Sequence, residues 1–201
     1  MKKLFTLWCM VLLGVAAFAQ TSLTKEERSK AIDHLKDTQA ELLKTVKGLS
    51  DEQLNFKPDA DTWSIAECVE HIAVTEAGLF EIVKGTLQAE PDPSKRAEVS
   101  MADEDLLNII ESRERKVKTR PEMEPANKFG GFDGSLEAFK AQRAVNMKFV
   151  KSTEDDLRNR YFDFPFGKAD AYQVMLFISG HSKRHTDQIK EVIANADFPK
   201  S

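Results

Sequence analysis

From Thr24 onward the chain repeats one arrangement: a small polar capping residue, a run with apolar side chains three or four positions apart, then a break marked by proline, glycine or both. That period calls for amphipathic helices, because a half-buried strand needs apolar residues at alternate positions. Thr24 and Glu27 have capping-box spacing and open a helix running from near Lys25 to about Gly48. Its face carries Ile32, Leu35, Leu42, Val46 and Leu49, with Gln39 in the widest gap. Ser64 and Glu67 repeat the signal ahead of Ile65, Val69, Ile72, Leu79, Val83 and Leu87, and Trp63 can fold back on the first turn as a staple. Pro91 and Pro93 end that segment.

A shorter helix is predicted over 102–119, with Ser100 and Asp103 at cap spacing and Leu106, Ile110 and Val117 facing inward. The connection 121–134 holds Pro121, Pro125, Gly130, Gly131 and Gly134. The next pattern runs from Ser135 through Phe139, Val145 and Phe149 to Leu157, and Phe164-Pro165-Phe166-Gly167 breaks the chain again. Asp170 then caps a last helix striped by Val174, Ile178, His181, His185, Gln188 and Val192. No β-rich alternating stretch, internal repeat or low-complexity tract competes with these segments. The expected fold class is all-α, a four-helix bundle with a shorter additional helix and long connections.

The first residues follow a different logic. Lys2 and Lys3 precede an apolar run from Leu4 to Phe18, interrupted by Thr6 and Gly14, and the run closes on Ala17-Phe18-Ala19. This is the form of a secretory signal peptide over 1–19, cut after Ala19, with 20–201 as a single helical-bundle domain. The run is short of the roughly 18–20 apolar residues that a membrane span prefers, so stable membrane insertion after cleavage is not expected. Cys9 lies inside the run, where it makes a poor lipoprotein cysteine. The expected location is periplasmic or secreted. Only Cys68 then remains, so the mature monomer has no internal disulfide and depends on packing.

Over the whole 201 residues, 33 acidic side chains face 29 basic ones, and the leader removes two lysines and no acid. Lys116, Lys118 and Arg120 form a small basic cluster at the end of a helical pattern, where solvated cations suit the helix dipole. An acidic chain without a concentrated basic stripe gives no electrostatic reason to bind nucleic acid.

Chemistry concentrates in the histidines. His181 and His185 are four apart on the apolar stripe of the last helix, one turn from each other, a spacing that lets both imidazoles reach one ion. His71, beside Ile72 in the other sharply capped helix, is the candidate third ligand; periodicity alone equally allows a core histidine bonded to backbone or carboxylate. His34 has no comparable partner and is read as a surface or boundary residue. Glu67, four before His71, serves first as a cap and can also orient the imidazole. Cys68 can enter the coordination shell or act as a small buried hydrophobe. Gln188 can orient bound water or substrate, or make a structural hydrogen bond; Arg184 can attract an anionic substrate, or face solvent. Gly180 permits close approach of another helix.

Trp63-Ser64-Ile65-Ala66-Glu67, followed by His71 and then by Leu176-Phe177-Ile178, His181, His185 and Gln188, resembles the DinB-like metal-binding superfamily and the larger bacillithiol or mycothiol transferase-like group. The similarity spans almost all of the chain past the leader. It implies a four-helix bundle, often a homodimer, with a divalent metal held by three histidines that fall at His71, His181 and His185. Imidazole ligands favour zinc or nickel over magnesium. The expected function is an exported metal-dependent hydrolase or transferase acting on a small molecule, with Gln188 and Arg184 as orienting catalytic residues. The alternative is a noncatalytic metal-binding or stress-associated interaction protein. Export argues against direct transfer of a cytoplasmic thiol-cofactor chemistry.

Overall fold

A computed structural model of the chain describes residues 22–114 and 118–200. The leader expected at 1–19, together with Lys116 and Val117, lies outside these. The architecture is helical, with six α-helices and one small hairpin among the described residues: α1 Lys25–Thr45, α2 Asp51–Asn55, α3 Ile65–Thr86, α4 Asp103–Glu111, α5 Phe132–Ser152, β1 Tyr161–Phe164, β2 Gly167–Asp170 and α6 Ala171–Ile193. Two 3-10 turns, Pro93–Glu98 and Pro121–Met123, lie in the connections. The long helices α1, α3, α5 and α6 form the expected bundle: α1 and α3 each pack on both α5 and α6, and α4 lies against α6. Among the described residues no helix is long and apolar enough to cross a membrane.

The caps explain where the helices begin. Thr24, Ser64 and Asp170 each accept the N3 backbone N–H, while Glu27, Glu67 and Gln173 reach back to the cap's own N–H. Ser50 and Gln53 make the same box and open α2, a helix the apolar period is too short to signal. Gly180 has the predicted use: a Cβ there would come within 3.2 Å of Leu107 and 3.3 Å of Ile110, so its absence lets α4 lie close on α6.

Several expected boundaries change. The helix predicted over 102–119 stops at Glu111, because its apolar face runs out at Ile110 and the following residues are largely charged. Ala102, not Ser100, occupies its N-cap, and acidic residues of the first turn meet the positive helix end without a side-chain cap. α1 stops at Thr45, short of Gly48, and α5 spans Phe132–Ser152 in place of 135–157. The stretch read as a break around Pro165 is the tip of a two-stranded antiparallel hairpin, with Tyr161 opposite Asp170 and Phe164 opposite Gly167. Four residues per strand are too few for alternation to register in the sequence.

On α5 the inward stripe is Phe139, Arg143, Asn146 and Val150, while Val145, expected inside, is 47% exposed. Arg143 crosses the middle of the bundle. Its guanidinium donates to both carboxylate oxygens of Glu76 at 2.6 and 2.8 Å, to the Leu35 carbonyl at 2.5 Å, to Thr38 at 2.8 Å and to Ser182 at 2.7 Å. Asn146 adds a bond to Glu76 at 3.0 Å. A second ionic cluster closes one end: Arg158 reaches Glu27 on α1, Asp103 on α4 and the α6 cap Asp170, with its guanidinium 4.1 Å from the Tyr172 ring centre.

Candidate metal centre

α3 and α6 are neighbours, and their packing carries His71 across to His181 and His185. The capping box at Ser64 fixes where α3 starts and hence which face holds position 71; the box at Asp170 does the same for α6. The ring centres are 4.9 Å apart for His71 and His181, 4.5 Å for His71 and His185, and 4.4 Å for His181 and His185. One ligand atom from each of the three lies within 4.8 Å of the others.

Hydrogen bonds on the far side of two rings decide which nitrogen is free. His71 Nδ1 is 2.8 Å from the Met123 carbonyl oxygen, which can only accept, so Nδ1 carries the proton and Nε2 presents a lone pair. His185 Nδ1 is 2.8 Å from Oε1 of Gln188, which gives that ring the same tautomer. His71 Nε2 and His181 Nε2 are 3.2 Å apart. Two nitrogens bound to one tetrahedral ion at about 2.0–2.1 Å would be separated by about 3.3 Å, so this pair has the spacing that a divalent metal of zinc's size requires.

The electrostatics keep these lone pairs available. Burial holds His71 below the ordinary histidine range, with Lys128 acting in the same direction against the Met123 bond. His181 and His185 lie well below it, chiefly through burial and then through repulsion from the neighbouring imidazoles. Neutral rings are the form that coordinates a metal. Trp63 covers the cluster, its ring system 4.8 Å from His71 and 6.1 Å from His185, and Phe177 stands 6.1 Å from His181.

The other predicted residues occupy more varied positions. Gln188 turns its amide oxygen to the His185 ring, a contact that orients the imidazole. Arg184 is withdrawn from solvent, at 9% exposure, and its charge is felt at His185. Glu67 does not orient His71: its carboxylate is taken by the Ser64 N–H at 2.7 Å and by Lys57. Cys68 lies outside the ligand group and packs among Leu42, Val69 and Ile72 in the core. His34 sits at the boundary, as expected, but has partners: Nδ1 is 2.7 Å from Ser179 Oγ and Nε2 is 3.1 Å from Glu111. The sequence reading missed Met123, whose contribution is a main-chain oxygen, and Glu70, which holds the loop that carries it.

Comparisons with known proteins agree with this fold. A structure of YfiT from Bacillus subtilis, described as a probable metal-dependent hydrolase with an unusual four-helix bundle topology, superposes with a TM-score of 0.57. The alignment covers 87% of this chain and 90% of that one at 18% identity, so the likeness speaks for the fold. The uncharacterized protein YuaE of Bacillus subtilis (strain 168) is 30% identical over 149 residues, which is 73% of this chain and 87% of YuaE. The model of the DinB superfamily matches residues 34–189, a span that contains every one of the clustered histidines and the helices that bring them together, and the chain therefore belongs to the DinB superfamily.

Proposed function

We propose that this chain is an exported metal-dependent hydrolase or transferase acting on a small molecule, with a divalent ion held by His71, His181 and His185. The observation that carries the reading is the convergence of three imidazoles, two of them with Nδ1 engaged so that Nε2 carries the free lone pair. Zinc or nickel suits an all-imidazole donor set. Bound there, such an ion supplies Lewis acidity and lowers the pKa of coordinated water.

The chain's own residues prepare the site. Met123 and Gln188 hold the rings of His71 and His185, and Trp63 packs beside both. Arg184, next to His185 in sequence, adds positive charge to the surroundings of that ring, which suits an anionic substrate group. Three protein ligands leave coordination positions for water and substrate, which favours catalysis over a purely structural crosslink. YfiT, described as a probable metal-dependent hydrolase and built on a similar bundle, supports the same reading. The leader at 1–19 supports export.

Metal analysis of dialysed wild type beside His71→Ala and His181→Ala tests the centre. The wild type is expected to retain an equimolar ion and each variant to lose it; equal, tight retention in all three overturns the site. Metal-loaded protein then enters a screen of hydrolytic and thiol-transfer substrates. N-terminal sequencing of the extracytoplasmic protein is expected to begin at Gln20, and an intact Met1 terminus confined to the cytoplasm overturns export.

A further inference from the structure

The segment 121–128 is tied to α3 at three places. The Met123 methyl fills a notch on the helix, 2.7 Å from where a Cβ on Gly78 would stand. The Met123 carbonyl accepts the His71 Nδ1 proton. Glu70, buried at 6% exposure, accepts three successive backbone N–H groups, from Ala126 at 2.9 Å, Asn127 at 3.0 Å and Lys128 at 2.7 Å. Asn127 has a φ of 55°, the left-handed conformation that helps turn consecutive N–H groups toward one anion, and here the anion is the protein's own carboxylate. The Lys128 ammonium closes the loop on itself through the Glu122 carbonyl at 2.5 Å.

We infer that Glu70 is a positioning residue of the three-histidine centre. By gathering three N–H groups it fixes the path of an exposed loop, which sets the Met123 oxygen against His71 Nδ1 and leaves His71 Nε2 facing its partners. Without that anchor the Met123 side chain on Gly78 would be left to hold the loop to α3, the carbonyl would be less sharply placed, and the His71 tautomer would no longer be dictated. Charge-assisted bonds to backbone N–H groups are among the stronger neutral-to-ion contacts, and a carboxylate has acceptor sites for all three where an amide has only one oxygen. The metal consequence rests on the function proposed above; the ring geometry does not.

The test uses full-length protein. Long-range proton–nitrogen correlation of the histidine rings in metal-free protein reads the His71 tautomer, and zinc titration reads affinity. Wild type is expected to show a single Nδ1–H form at His71. Glu70→Gln is expected to show mixed tautomers and roughly tenfold weaker zinc binding, the lower end of what loss of a ligand-orienting contact costs. Asn127→Pro removes one of the donated N–H groups and forbids the positive φ from the loop side, leaving α3 intact; the same two changes are expected, which keeps the test decisive if Glu70→Gln does not fold. Glu67→Gln, on the same helix but bonded to Ser64 and Lys57, is expected to leave tautomer and affinity within twofold of wild type. An unchanged His71 tautomer in folded Glu70→Gln or Asn127→Pro overturns the assignment. Failure of the wild type to bind zinc or nickel would instead overturn the proposed metal function, with the tautomer readout still deciding the role of Glu70.

Discussion

Cys68 precedes His71 by three residues on the same helix, yet the two side chains have different surroundings. Burial pushes the thiol up to about 12, far from the range in which a thiolate coordinates metal or attacks an electrophile. Native protein in mildly alkaline buffer is therefore expected to resist thiol-alkylating reagents until denatured, and Cys68→Ala to match the wild type in zinc titration; rapid labelling of the folded chain would contradict this. The contrast shows what single residues reveal in a sequence. His71, His181 and His185 were legible because side-chain type, helical spacing and family resemblance coincided. The contact that orients His71 was not, because a main-chain carbonyl leaves no mark on residue identity, and Glu67 at the right spacing was the more visible candidate. Glu70, adjacent to His71 in sequence, carries no periodic signal for gripping a loop more than fifty residues away.

At the scale of elements, α5 depends on a charged residue where apolar patterning puts none. Arg143 and Glu76 are buried and matched by hydrogen bonds with Leu35 and Thr38 on α1, Asn146 on α5 and Ser182 on α6. Removing one partner leaves an uncompensated charge, so Arg143→Met is expected to lower unfolding stability by about 3–5 kcal/mol in urea denaturation. Arg143→Met combined with Glu76→Leu is expected to be less damaging than the single change, because the stranded carboxylate goes too. A loss under about 1 kcal/mol for the single variant would show that the pair is not a central tie. Apolar periodicity located four long helices and three of their caps, since those features repeat over many residues. It misplaced Val145 because residue type was followed where the geometric stripe, Phe139 to Arg143 to Asn146 to Val150, turned polar. It passed over the hairpin and α2, whose few residues fall below the length at which a period can be read.

On the scale of the whole molecule, the Arg158 cluster joins α1, α4 and the start of α6 at one end of the bundle. For Asp103, burial raises the carboxyl, but the Arg158 hydrogen bond and charge outweigh it and hold the group below the ordinary carboxylate range. A carboxyl with a depressed folded pKa stabilises the protein above its unfolded value, near 4, and the contribution disappears as pH falls through the folded value. The stability difference between wild type and Asp103→Asn is thus expected to be full at neutral pH and to shrink on acidification below about 4. A difference that held constant or widened in acid would remove Asp103 from the clamp. The fold that this clamp closes delivers its histidines on two rigid helices and one of their steadying contacts on a surface loop. Because that contact is an oxygen every amino acid possesses, exchanging Met123 for another residue leaves the atom in the chain, whereas adding or deleting a residue between positions 123 and 128 moves it out of reach. The length of this loop is thereby held more tightly than the side chain at 123, while positions 126–128 must still keep the N–H groups that Glu70 gathers.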